Sequence, residues 1–230
     1  VSPVVLGAQS VLPSATFTVH AGQTPTASVV IILALTVLAL APTLLVLFTG
    51  FVEIVVVLSI TRNALGLQTT PPNQVLAGLA LFLSLFVMAP TLAVVEHQAL
   101  LPYLHGHISA VIALERAEGP IKAWMLRHTR TQELALFDVV THHAGVPPLS
   151  APMDAVVPAF ILSELHSAFV MGFVIYVPFL VIDLVVSSVL MSLGMMMLPP
   201  TLISLPFKLL LFVLVDGWTL VAHALLVSLR

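Results

Sequence analysis

The sequence predicts an all-α, membrane-associated protein built from kinked helical hairpins. Three observations carry that prediction. Of 230 residues, 60% are hydrophobic and only 7% are charged, against roughly 45–50% and about 25% in ordinary soluble domains. The mean hydropathy is +1.17. The apolar residues gather in four long segments, and about 20 residues suffice to cross a hydrocarbon core. Pro42, Pro90, Pro158, Pro178 and Pro206 sit inside or at the edges of those segments. Each proline frees a backbone carbonyl that neighbouring protein or water has to satisfy. Such segments fit irregular helices packed against other protein better than plain lipid-facing spans. The class is an integral membrane protein or a subunit buried in a larger membrane-associated assembly.

Residues 1–28 are rich in Pro, Ser, Thr and Gly without a period, and read as an irregular segment. The opening "VSPVVLGAQS" fits either the remnant of a cleaved signal peptide or an alternative start, and lacks the basic stretch of a complete signal. Residues 29–60 are nearly all apolar but interrupted at Pro42, Gly50 and Glu53. They predict a kinked helix, or two helices meeting near Pro42. Residues 61–74 form a polar connector in which Pro71-Pro72 suits the first turn of the next helix. Residues 75–95 are the second apolar segment. Residues 96–154 are a polar, mostly helical insertion, with eight of the chain's seventeen charges between Glu115 and Asp138. Residues 155–191 are the third apolar segment, 192–201 a methionine-rich turn, and 202–230 the fourth apolar segment. No internal repeat of fixed period is visible.

The turn reads "LGMMMLPP". A turn between two hydrophobic segments is normally polar, because its backbone groups need partners. This one carries Met195, Met196 and Met197, with Gly194 before them and Pro199-Pro200 after. Gly194 permits a tight backbone path and the prolines stiffen the exit. Methionine has three rotatable side-chain bonds and a polarizable sulfur, so it fills irregular gaps. Two readings stand: a hydrophobic turn packed in a subunit core, or a deformable plug.

Charges also stand in apolar segments: Glu53, Glu164, Asp183, Lys208 and Asp216. Facing lipid would cost each at least about 2.5–3.5 kcal/mol, so they are expected to be buried against protein. They serve either to pair helices or to form an ion or proton path. The midpoint in sequence between Asp183 and Lys208 falls inside the methionine triplet. In an antiparallel hairpin turning there they lie at one depth, about 18 Å from the tip at 1.5 Å per residue. They are predicted to pair, within one subunit or with a neighbour.

The formal net charge is −3, which leaves no basic footprint for nucleic acid. With no cysteine, disulfides, thiolate metal sites and a cysteine nucleophile are excluded. Nine histidines invite a metal, but the close pairs, His105-x-His107 and His142-His143, lack an acidic partner at ligand spacing. Ser59, Ser84, Ser187 and Ser188 come without a nucleophile elbow. No Walker or dinucleotide motif occurs. Neither an enzyme nor a cofactor is expected. A secondary transporter or proton channel using Glu53, Glu164, Asp183 and Lys208 would be expected to show duplicated halves, and none are visible.

From about Phe48 to the C-terminus the chain resembles the FliP family of flagellar type III export-gate proteins. The residues that carry the likeness are "RNALGLQTTPPNQVLAGLALFLSLFVMAP" (Arg62 to Pro90) and "LGMMMLPPTLISLPFKLLLFVLVDGW" (Leu193 to Trp218). "MLRHTRTQELALF" and "PAFILSELHSAFVMGFVIYVPFLVIDLVVSSVLM" add to it. The family's injectisome relatives are the R-type export-apparatus proteins. "PPNQVL" and "LPFKLLLFVLVDGW" favour flagellar use, while "LSLFVMAP" leans slightly the other way.

The resemblance implies a non-enzymatic core subunit of the export gate in a ring of about five copies. Q-type and R-type subunits complete that ring, B-type and A-type proteins associate with it, and unfolded secretion substrates pass through its centre. It implies that Met195, Met196 and Met197 form a pore gasket with Gly194, Pro199 and Pro200 as its hinge. It also implies location in the bacterial inner membrane within the flagellar basal body, with the central insertion on the periplasmic side. Arg116, Lys122, Arg127 and Arg130, with His128 if protonated, would place that insertion in the cytoplasm by the positive-inside tendency. The insertion is roughly 60 residues long, near the length where that tendency stops deciding, so the family's placement is followed. Three positions depart from the family pattern. Glu53 stands where a base is usual, His166 where a lysine is usual, and Met171 where a glutamine is usual.

Overall fold

The computed structural model describes residues 27–141, 147–195 and 199–230. The chain divides into two units, Val1–Ala41 and Pro42–Arg230. In the first, the described residues are the start of α1 (Ala27–Phe48). Its apolar side chains at Ile31, Ile32, Leu35 and Leu40 are exposed.

The second unit is helical throughout its described residues, with no strand. The first break falls at Thr49–Gly50, between α1 and α2 (Phe51–Ala64), and not near Pro42. The Thr49 hydroxyl donates to the Leu45 carbonyl and accepts the Phe51 N–H, and Ser84 donates to it at 2.8 Å. A buried hydroxyl pair thus satisfies the backbone where the helix stops. Helix α3 (Asn73–Val95) continues through a π-type turn, Glu96–Leu100, into α4 (Leu101–Leu104). The apolar helix therefore outlasts its expected end at residue 95. The polar run Glu96-His97-Gln98 lowers hydropathy, yet the backbone stays helical, with the Leu101 N–H reaching back five residues to the Glu96 carbonyl.

The polar insertion supplies α5 (Ala110–His128) and α6 (Thr131–Val140). Helix α7 follows (Met153–Ser192, 40 residues), with Pro158 and Pro178 inside it. At 1.5 Å per residue it is about 60 Å long. Three clusters of buried side chains lie along it. Phe160 and Val156 meet Trp124, Met125 and Met88; Ala168 meets Ile54, Leu58, Leu76 and Leu225; Phe179 meets Ala64, Leu65 and Phe212. The insertion is also tied to this spine by the Arg130 N–H, which donates to Ser163 Oγ at 3.0 Å.

The fourth apolar segment is broken into α8 (Pro200–Leu214) and α9 (Gly217–Ser228), bent by 61°. The corner residue Asp216 takes φ 50°, a conformation that Asp tolerates better than most L-residues. This corrects the expectation that Asp216 is a buried charge: the corner carries it out of both helices and it is exposed. There it sits before the first residue of α9, where a carboxylate favours the helix dipole. At Gly217 an added Cβ would come within 2.2 Å of the edge of the Phe212 ring, which packs edge-on to Trp218 and near Phe179. Gly217→Ala is expected to cost about 1–3 kcal/mol through overpacking, read as a lower thermal midpoint in detergent. Gly78→Ala, in α3 where a Cβ meets nothing within 4 Å, is the control and stays near the wild-type midpoint.

Much apolar surface is left bare. Phe82, Phe86, Phe169 and Phe173 are each more than 60% exposed, more than an isolated soluble chain tolerates. The stretches Asn73–Leu104 and Met153–Ser192 are long and apolar enough to cross a membrane, and α8 with α9 makes a third if the bent pair counts as one span.

Candidate functional site

The turn after α7 is built by a helix stop. Gly194 adopts φ +73°. Its N–H donates to the Met191 carbonyl at 3.1 Å, and the Met195 N–H donates to the Leu190 carbonyl at 3.1 Å. These two bonds form a Schellman motif, in which a left-handed residue just past the helix satisfies its last carbonyls. The chain thus leaves the helix at Gly194 and exposes Met195. Met196 and Met197 lie outside the described residues. Beyond them Pro199 is extended, and Pro200 opens α8 at a position where a missing N–H costs nothing.

Behind the turn, α7 and α8 are clasped by a buried polar cluster. Lys208 Nζ lies 2.6 Å from Asp183 Oδ2 and donates to the Ala64 carbonyl at 3.2 Å. Ser204 Oγ donates to Asp183 Oδ1 at 2.6 Å. Both carboxylate oxygens therefore have donors. Lys208 is 4% exposed, whereas the Asp183 side chain keeps 30% of its surface open. Ala64 is the last residue of α2, so the ammonium also meets an orphan carbonyl at the negative end of that helix. Sequence reasoning brought Asp183 and Lys208 to one depth but missed Ser204 and Ala64. Ser204 had a signal, standing four residues before Lys208 on one helix face; a backbone carbonyl 144 positions away had none. Beside the clasp runs an open groove of about 480 Å³ lined by Val181, Val185, Val189, Ile203 and Phe207.

Glu53 on α2 and Glu164 on α7 are both buried, and Ser228 Oγ of α9 donates to Glu53 Oε1 at 3.0 Å. His166 is exposed and borders a groove with Ile60, Phe169 and Phe173, and Met171 is half-buried against the α2–α3–α9 core. The rings of His105 and His107 stack 5.9 Å apart after α4; His142 and His143 lie outside the described residues. Among the described residues no three His, Asp or Glu side chains are placed to share a metal.

Comparison with known proteins places these features in context. The FliP family model matches residues 34–225. A flagellar biosynthetic protein FliP of Pectobacterium carotovorum subsp. carotovorum is 52% identical over 210 residues, covering 90% of this chain and 80% of that protein. The protein of that name from Bacillus subtilis is 53% identical over 204 residues, 87% of this chain and 91% of its own length. That from Aquifex aeolicus is 45% identical over 207 residues, 87% and 85% respectively.

Proposed function

The chain belongs to the FliP family, and from that premise we propose that it is a core subunit of the flagellar type III protein export gate. It lines the central channel through which unfolded flagellar substrates pass, and flagellum assembly depends on it. The observation that carries this reading is identity of 52–53% to flagellar relatives over some nine-tenths of the chain. Those relatives are named as flagellar, which supports flagellar over injectisome use.

Copies close into a ring of about five. The exposed phenylalanines of α3 and α7 support burial against sister subunits and against Q-type and R-type partners, with B-type and A-type proteins alongside. The assembly sits in the inner membrane at the basal body, with residues 96–154 on the periplasmic side. Met195, Met196 and Met197 of each copy meet over the axis, turned inward by Gly194 and Pro199-Pro200. The role is structural and needs no catalysis.

Native mass spectrometry of the full chain in mild detergent tests the proposal. An oligomer of several copies is expected. A stable monomer that moves a small solute unaided would replace the gate reading with a transporter.

A further inference from the structure

Asp216 turns the corner between α8 and α9 with φ 50°. Left-handed backbone at a residue other than glycine is strained, and such strain gathers at binding sites and switches. The next residue is Gly217, for which that conformation costs little, yet the chain gives it to the aspartate. The carboxylate so placed is exposed and does not cap α9. Among the described residues it has no ion-pair partner. The basic groups on the flanking helices are committed elsewhere. Arg62 of α2 donates to the Pro71 carbonyl at 3.1 Å and to Asn73 Oδ1 at 2.6 Å, and Lys208 of α8 holds Asp183. Helices α8 and α9 form one bent apolar run, in which an uncompensated charge facing lipid is costly.

Asp216 also lines an open groove of about 450 Å³, and among its described lining residues it carries the one charge. Leu65 from the end of α2, Pro71 from the connector, and Val213 and Trp218 from the corner form other parts of the wall. Trp218 is 37% exposed, and Phe212 packs edge-on against it with ring centres 5.3 Å apart. An accessible indole and a lone carboxylate over an apolar wall suit a planar cation on an apolar stem. A guanidinium forms two parallel N–H bonds to a carboxylate, stacks on an aromatic face, and is more weakly hydrated than an ammonium. We propose that this groove seats an arginine side chain of a neighbouring polypeptide, with Asp216 holding the guanidinium and Trp218 and Val213 flanking its stem.

The neighbour is a different protein and not a second copy. Arg116 and Arg127 are exposed on α5. The insertion, however, packs on α7 around Phe160 and the corner around Phe179, levels about 28 Å apart at 1.5 Å per residue. Arg230 follows Leu229, which lies against Gly50 at the start of α2, whereas the groove lies at that helix's end. A copy standing in register brings none of these to Asp216. That the neighbour belongs to an export assembly rests on the gate reading; the fit of the groove to arginine does not.

The test is a titration of the full chain in detergent with the peptide N-acetyl-Leu-Arg-Leu amide, followed by tryptophan fluorescence. Trp218 reports on the groove, while Trp124, 3% exposed, supplies a constant background. A saturable change is expected that weakens with added salt. Binding is expected to fall at least about tenfold when citrulline, the neutral isostere, replaces the arginine, and equally in Asp216→Asn, because a carboxylate–guanidinium pair is charge-assisted. Asparagine tolerates the left-handed backbone, and Asp216→Gly serves in its place if that variant fails to fold. Equal binding of both peptides, equal binding by a folded variant, or no saturable change in the wild type overturns the proposal. Native mass spectrometry of the same samples separates the other occupants. A dimer lost in Asp216→Asn assigns the groove to a second copy, and a retained phosphatidylethanolamine lost in that variant assigns it to a headgroup amine; either result overturns the arginine assignment. The titration reads the groove alone, so its failure leaves the gate reading standing, and failure of the gate reading leaves the titration intact.

Discussion

Asp183→Asn destabilises the chain more than Lys208→Met does, and the double variant is less damaged than Asp183→Asn alone. The asymmetry follows from burial. Removing the carboxylate strands an ammonium that is 4% exposed, with the Ala64 carbonyl as its remaining partner. Breaking a buried pair in this way costs about 3–5 kcal/mol. Removing the ammonium strands a carboxylate that still holds the Ser204 hydrogen bond and is 30% open. That loss, together with the unpartnered Ala64 carbonyl, comes to about 1–3 kcal/mol. In the double variant no charge is left, the introduced amide can still accept from Ser204, and methionine fills the lysine stem's volume. Thermal midpoints in detergent should therefore rank wild type first, then Lys208→Met and the double variant, then Asp183→Asn. Equal and additive losses would show that the clasp is not a coupled unit.

In the proposed export gate, replacing Met195, Met196 and Met197 together by alanine raises small-ion leakage across the membrane while substrate secretion persists. If the three tips of each copy meet over the axis, their flexible apolar side chains exclude water from a constriction and yield to a passing chain. Alanine removes the thioether and leaves the backbone path set by Gly194 and the prolines. Even about 1.4 kcal/mol taken off the barrier to wetting is a tenfold change in passage. Leakage is read from ion uptake or membrane potential in cells expressing the variant, and secretion from exported flagellar protein. Leakage that stays at background would remove the gasket role from this turn.

The all-helical character was legible in the sequence because composition and hydropathy are properties of long windows, and errors at single residues average out. The places where helices stop were less legible. Residues 29–60 read as a kinked helix or as two helices meeting near Pro42, with Gly50 a further interruption; the helices divide at Thr49–Gly50, where hydroxyls can take over the backbone's hydrogen bonds. The corner at Asp216 was missed although Asp216-Gly217 is an Asp-Gly pair of the kind that marks turns, because the apolar runs on both sides read as one segment. The approach of Asp183 and Lys208 could be read in outline, since a hairpin sets equal distances from its turn side by side. The meeting of Glu53 with Ser228 could not, because it depends on how helices from distant parts of the chain are rotated against one another. Nothing in local periodicity encodes that rotation.

A rod of about 60 Å cannot be sunk in an oil layer about 30 Å deep. Along half or more of α7, greasy residues must therefore find company other than lipid tails. Where the fatty zone ends along this helix is then decided by the neighbours that flank it, and hydropathy alone will misplace the waterline. In the proposed export gate, thinning or thickening the surrounding bilayer should disturb such a protein less than losing a single flanking subunit.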